Sequence, residues 1–572
     1  MSTISVERTF LSKDFTLNVW SDIEPYFKQL LERTISNVEE LKKWLKDRSE
    51  LESFLEENSG WRYIKMSCDT ANEEKRKSYE FFVSEIDPHV APYSNLLNKK
   101  LVESKFANEL TESGYNILLR GIKKQIEIFR EENIPLNTEL ATKSQEYGNI
   151  AGAMTVEHEG KELTMQQAAK MLKETDRTLR ETIYKKIVTR RQQDKNALNE
   201  LLDVLIEKRN QVAINAGFKN YRDYMFAAMG RFDYTPQDCF DFHEAIKTEI
   251  LPLIALIDNK RKKELGYDSL RPWDTEVDTS GKTTIAPFSD DKDLVNKTIE
   301  CFNQLKPEFA KYIQIMDELG RLDLGSRKGK APGGYNYPLY ETGIPFIFMN
   351  AVGTQQDMVT MVHEGGHAVH SFLSRELDLC DFKSVPSEVA ELASMGMELI
   401  SMEHWDAFYN ESTALNNAKM EQLEKVLETL PWVALIDKFQ HWLYEHSKHS
   451  HEERRIKWLE LYKEFSSPVI DWSGIEQYRD FIWQKQLHIY EVPFYYIEYG
   501  MAQLGAIALW KNFKSNPTKT IEQYKSALSL GYTHGIPDLY KAAGIEFNFS
   551  KKYVSELAAF VKKELTELEK NI

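Results

Sequence analysis

His363-Glu364-Gly365-Gly366-His367 constrains this chain more than any other stretch. At about 100° per residue, histidines four apart on an α-helix lie ~40° apart around its axis, so both rings can reach one metal ion. The segment must be helical for the pair to act together, and Glu364 then points at the metal's open position. Zinc held there would polarise a carbonyl and bring a water's pKa towards ~7, while the adjacent carboxylate removes that water's proton.

The flanking residues support a buried helix. Thr354-Gln-Gln-Asp357 can start it, and Met358, Val359, Met361, Val362, Ala368, Val369 and Phe372 surround the histidines with apolar surface. Gly365 and Gly366 each cost a helix interior ~1 kcal/mol relative to alanine, which implies that another backbone passes close to this turn. An extended substrate is the expected backbone.

A zinc site needs a third protein ligand, and Ser387 to Glu398 offers candidates on a second helix. Glu391 and Glu398 are seven residues apart and ~20° out of line, with Glu388 about 60° to one side. Three acids on one stripe among Leu392, Met395 and Leu399 would be costly in an interior unless a cation or hydrogen bonds compensate. A solvated acidic face is the competing explanation.

Pro345-Phe-Ile-Phe-Met349-Asn350, the metal motif with His370-Ser371, and Glu391-xx-Ser394-xxx-Glu398 together resemble the thimet oligopeptidase and neurolysin family of zinc peptidases, in particular its oligoendopeptidase F branch. The resemblance runs from about Tyr147 to the C-terminus, through Arg231-Phe-Asp-Tyr-Thr235, Leu270-Arg-Pro-Trp-Asp274 and Pro493-Phe-Tyr-Tyr496-Ile-Glu-Tyr499; the first hundred-odd residues match only in helical character. It implies one Zn2+ per chain on His363, His367 and Glu391, with Glu388 the competing third ligand and Glu364 the general base. It also implies a zincin-type fold in which a helical lobe roofs a deep interlobe cleft and restricts substrates to short peptides.

His488 and the cluster Tyr490, Tyr495, Tyr496 and Tyr499 supply donors that a tetrahedral oxyanion needs, although tyrosines at helical spacing also serve as core plugs. The resemblance implies a histidine and a tyrosine pair here. The pair matches Tyr496 and Tyr499, while His488 sits at a slightly different spacing from them than in the thimet pattern.

Upstream, Gly325 to Pro345 is dense in glycine and proline, and Arg327, Lys328 and Lys330 could meet an acidic peptide terminus. Ile344 to Val352 reads as a strand, with Pro345 placing it at or near a sheet edge. Such an edge can hold an extended peptide by main-chain hydrogen bonds.

At 572 residues the chain exceeds one ordinary core, so two lobes or more are expected: an N-terminal helical region over 1–145 and a catalytic region over 146–572. A net charge of -16 without a sizeable basic cluster argues against nucleic acid and anionic lipid as partners. No apolar run approaches the ~18 residues of a membrane span. Met1 to Glu24 lacks an uncharged apolar core, so no secretory signal is expected, and four well-separated cysteines favour reduced thiols in the cytoplasm.

The expected fold is mainly α. Asp22 and Pro25 open a helix that carries Leu31, Ile35, Val38, Leu41 and Leu45 on one face, and Asn58-Ser59-Gly60 ends the next. Long helical segments are expected over 70–145, 164–214, 236–265, 290–319, 402–447, 451–465, 475–490 and 551–570. A hairpin is placed near 149–163 with its turn at Glu159-Gly160, a small sheet at 270–277 with 333–350, and a loop at Asp278 to Thr284. His446, His449 and His451 fit a solvated junction better than a metal site; His370 as a fourth ligand would close the position catalysis needs open; His534 has no evident partner.

These readings converge on a zinc endopeptidase for short peptides. The alternatives are a zinc carboxypeptidase or a protease for folded proteins on the same motif, and a catalytically silent helical peptide-binding protein. An intact Glu364 argues against the last.

Overall fold

The computed structural model describes residues 7–279, 286–327, 329–331 and 333–570. Lys328, Pro332 and most of the loop expected at Asp278 to Thr284 lie outside these residues.

Helices dominate. Near the N-terminus the expected continuous helix is two, Trp20–Glu32 and Val38–Cys68. The chain breaks between them because Asn37 turns its side chain onto the Glu40 N–H at 2.9 Å, a local bond that starts a new helix. The second helix does not stop at Asn58-Ser59-Gly60. A Cβ on Gly60 would fall 2.5 Å from Tyr337 Cε1, so the glycine serves close packing on a distant strand. The segment 70–145 divides into Glu73–Phe81, Asp87–Glu103, Tyr115–Ile128 and the start of Asn133–Gly152.

Strands β1 (Thr155–His158) and β2 (Lys161–Thr164) form the expected hairpin, whose turn residues Glu159 and Gly160 both have positive φ, 52° and 74°. The second sheet has the order β3-β5-β4, from Leu322–Gly325, Phe346–Ala351 and Tyr335–Tyr337 respectively. β5 is central, parallel to β3 and antiparallel to β4. Two expectations are corrected here. Pro345 precedes β5 rather than marking an edge, and the edge strand nearest the metal motif is β4. The segment 270–277 is no strand: Pro272–Asp274 is a 3-10 turn, and only Leu270 makes an isolated bridge, to Ile470. Arg177 and Arg180 fix Asp274 there through its carboxylate.

The expected helix over 475–490 is also broken, into Glu476–Arg479, Ile482–Lys485 and Leu487–Glu491. Trp458 Nε1 and the Tyr147 hydroxyl take the carbonyls of Arg479 and Gln484, competing with helical bonding.

One core unites buried residues from Leu140 to Leu565, including both helices of the metal motif region. A second gathers Leu11 to Ile122 together with Leu379 and Phe382. Ile64, Leu339, Phe346 and Phe348 form a third that seats the long N-terminal helix on β4 and β5. Among the described residues no helix is long and apolar enough to cross a membrane.

Candidate metal centre

β5 leads through Gly353 into the helix Gln355–Ser374, which starts at Thr354 with reciprocal capping by Asp357. This histidine helix is apolar on most of its surface and carries His363, Glu364 and His367 on the side facing a cavity of about 360 Å³. A second helix, Ser387–Ser401, supplies the glutamates and packs directly against it. A Cβ on Gly366 would lie 2.7 Å from Ala393 O and from Ser394 Cα. The backbone anticipated beside the glycine pair therefore belongs to the glutamate helix and not to substrate, while Gly365 is covered by the Phe302 ring.

This close approach brings the donors together. Ligand atoms of His363, His367 and Glu391 all lie within 4.8 Å of one another, with Glu391 Oε2 3.4 Å from His363 Nε2 and 3.8 Å from His367 Nε2. Glu398 Oε1 is 2.6 Å from His363 Nδ1, which keeps a proton on Nδ1 and turns Nε2 towards Glu391, the nitrogen whose proton a metal ion would displace. Gln422 holds the other Glu398 oxygen at 2.7 Å, and Ser394 donates to Glu391 Oε2 at 3.0 Å. Glu388 faces away from the histidines and accepts from the Tyr234 hydroxyl at 2.6 Å.

Burial and neighbouring charge set the protonation states. Burial lowers the basicity of His363, yet the carboxylates of Glu391 and Glu398 outweigh it and raise its pKa well above the usual value. Glu391 is opposed by burial but held down at about 2 by the two histidines and Ser394. Burial pushes Glu364 up to about 7 and His367 down to about 4. His370 lines the same cavity outside the converging donors, pushed down by burial to about 3.

Tyr495 and Tyr499 line the cavity opposite the histidine helix, and the Tyr495 hydroxyl donates to Glu391 Oε1 at 3.3 Å. Tyr496 stands one ring behind, 4.7 Å from the His488 ring and 5.5 Å from Tyr499 between centroids. His488 is held by Gln486 through Nδ1, and burial lowers its pKa to about 4. Tyr490 is no part of the site: it is fully buried and stacks on Tyr147. β4 borders the cavity, and Asn336 donates to the Glu364 carbonyl at 3.2 Å.

Of the cations expected to face substrate, Arg327 and Lys330 are used elsewhere. Arg327 and Lys330 both bind Asp323, and the Lys330 side chain is fully buried. Arg375 and Lys383 line the cavity instead, a placement with no local signal because their neighbours in sequence resemble any solvated turn. His446, His449 and His451 bond to Trp442, to His446 and Arg454, and to Asp203, and His534 to Thr533 and Ser113. Glu398 was legible as one of three acids on a stripe, but its bond to His363 was not.

The description "Peptidase family M3" matches residues 170–559, and "Peptidase M3 N-terminal domain" matches residues 11–129. Oligoendopeptidase F homologs are similar to the chain: that of Lactococcus lactis subsp. lactis is 22% identical over 423 residues, 72% of this chain and 67% of the relative. That of Borreliella burgdorferi is 23% identical over 562 residues, 93% of this chain and 92% of the relative. The solved structure "PZ peptidase A with inhibitor 2" superposes with a TM-score of 0.91 at 25% identity, covering 98% of this chain and all of that one.

Proposed function

Since the chain belongs to peptidase family M3, a metallopeptidase family, we propose that it is a zinc-dependent endopeptidase that hydrolyses internal bonds of short peptides. The observation that carries this reading is the convergence of two imidazole nitrogens and one carboxylate oxygen beside a buried Glu364. Such a donor set fits zinc with three protein ligands and one position left for chemistry, and the Glu398 bond to Nδ1 favours His363 as a ligand through Nε2.

Zinc bound by His363, His367 and Glu391 would supply a Lewis acid that polarises the scissile carbonyl and acidifies water. Glu364 takes the proton of the attacking water and returns it to the leaving amine, a role suited to a carboxyl raised towards neutrality. Tyr499, on the cavity wall, donates to the developing oxyanion, assisted by Tyr496, whose ring is oriented by His488. Peptide main chain pairs with the outer edge of β4, which leaves side-chain selection weak. The helical region over 1–145, seated on β4 and β5, roofs the cleft and limits substrates to short chains. We place the enzyme in the cytoplasm, a reading supported by four free cysteines.

The test is Glu364→Gln. The variant keeps zinc by elemental analysis and loses about 10²–10⁴-fold in turnover of a quenched peptide. Near-normal turnover would refute the assignment. Mapping the cut positions in a mixed peptide pool separates internal cleavage from carboxypeptidase trimming.

A further inference from the structure

A second set of metal-binding side chains lies in the main core, outside the cavity. The helix Pro236–Glu249 carries Cys239 and His243 four residues apart, and the helix Ser412–Glu445 carries Asp437 and His441 at the same spacing. The two helices pack together, so two same-face pairs meet across their interface. All four residues are at most 1% exposed. Ligand atoms of Cys239, Asp437 and His441 lie within 4.8 Å of one another. His243 Nε2 is 2.9 Å from Asp437 Oδ2, and His441 Nε2 is 3.2 Å from the same oxygen.

Hydrogen bonding leaves this cluster unsatisfied. His441 Nδ1 has no hydrogen-bond partner, and His441 Nε2 reaches only the Asp437 carboxylate. His243 Nδ1 and Asp437 Oδ1 are likewise orphaned. Aromatic rings cover His441: Phe240 lies 4.8 Å from its ring and Phe494 5.4 Å, centroid to centroid. So many orphaned polar atoms in one enclosed place are unusual for a folded core.

We propose that Cys239, Asp437 and His441, with His243 bonded behind the Asp437 carboxylate, form a structural zinc site, distinct from the catalytic centre. Sulfur, nitrogen and oxygen are donors that a tetrahedral zinc takes, and one of each converges here in a buried place. With bonds of ~2.0–2.3 Å, neighbouring ligand atoms of a tetrahedral site stand about 3.4 Å apart, close to the spacing already present around Asp437. On binding, the Cys239 S–H bond is replaced by a sulfur–metal bond and its proton leaves to solvent; no electron is transferred. One thiolate and one carboxylate then neutralise the dication, so the core holds no net charge.

The site braces the tyrosines of the cleft. Gln440, between Asp437 and His441, accepts the Phe494 N–H at 2.8 Å. Phe494 has a positive φ of 69° and immediately precedes Tyr495 and Tyr496. Fixing the two helices fixes this strained turn.

Cobalt(II) loading of the full chain tests the proposal, because the cleft donors include no sulfur. Thiolate-to-cobalt charge-transfer absorption is expected in the wild type and in His367→Ala, and its loss is expected in Cys239→Ser and Asp437→Asn. Elemental analysis of His367→Ala after dialysis against chelator should still find zinc. Absence of the band in the wild type, its persistence in Cys239→Ser, or a metal-free His367→Ala would overturn the site while leaving the cleft assignment intact. Should Cys239→Ser not fold, the wild-type and His367→Ala spectra decide alone.

Discussion

His363 Nδ1 and Glu398 Oε1 meet at 2.6 Å, joining the histidine helix to the far end of the glutamate helix. Glu398 thereby holds a proton on His363 Nδ1 and orients Nε2 towards Glu391. Glu398→Ala is expected to weaken zinc affinity by about 10–100-fold, the usual consequence of losing a carboxylate behind a ligating histidine. Competition with a graded series of chelators reads the change. Affinity equal to wild type would remove Glu398 from the site.

Gly366 sets the distance between the two helices. In Gly366→Ala the new Cβ would press against Ala393 O and Ser394 Cα, backbone atoms that cannot move independently. Destabilisation of roughly 1–3 kcal/mol is expected, together with weaker zinc binding as Glu391 is displaced from the histidines. Thermal melts of the zinc-free protein separate the packing cost from the loss of metal.

Tyr495 and Tyr499 should divide between metal and oxyanion. Tyr499→Phe removes a cavity donor and is expected to lower kcat by about 10²–10³-fold with little change in KM. Tyr495→Phe removes the donor to Glu391 and should instead alter zinc affinity. Steady-state kinetics at saturating zinc, set beside zinc titrations, distinguish the two. Equal effects on kcat would contradict the division.

Glu498 makes stability pH-dependent. Burial, and then the nearby Glu388 carboxylate, push its carboxyl up to about 8 against the pull of Arg231, 2.7 Å away. Between the ordinary carboxyl range and pH 8 the folded chain holds a proton there that the unfolded chain releases, so this contribution is complete at low pH and lost as pH rises through about 8. Glu498→Gln mimics the protonated acid without titrating. Its melting temperature should gain on the wild type between pH 5 and pH 8, and a constant difference across that range would disprove the assignment.

The metal motif was legible because its information is local. A four-residue spacing on a helix fixes which side chains share a face, so His363, Glu364 and His367 follow from the chain alone, as does the stripe holding Glu391 and Glu398. The turn at Glu159-Gly160 was equally legible, because turn chemistry resides in the turn residues. Continuity of elements was not: Gly60 stays helical because Tyr337, far along the chain, packs against it, and residues 475–490 break because Trp458 and Tyr147 capture their carbonyls.

By itself the sequence determined a mainly helical chain and named the side chains proposed to hold the ion. Tertiary structure alone decided which glutamate faces the histidines, which strand lies at the sheet edge, and that Cys239 and His243 meet Asp437 and His441. The reason is that spacing along one helix is set by its own backbone geometry, whereas distances between helices depend on close packing of residues hundreds of positions apart.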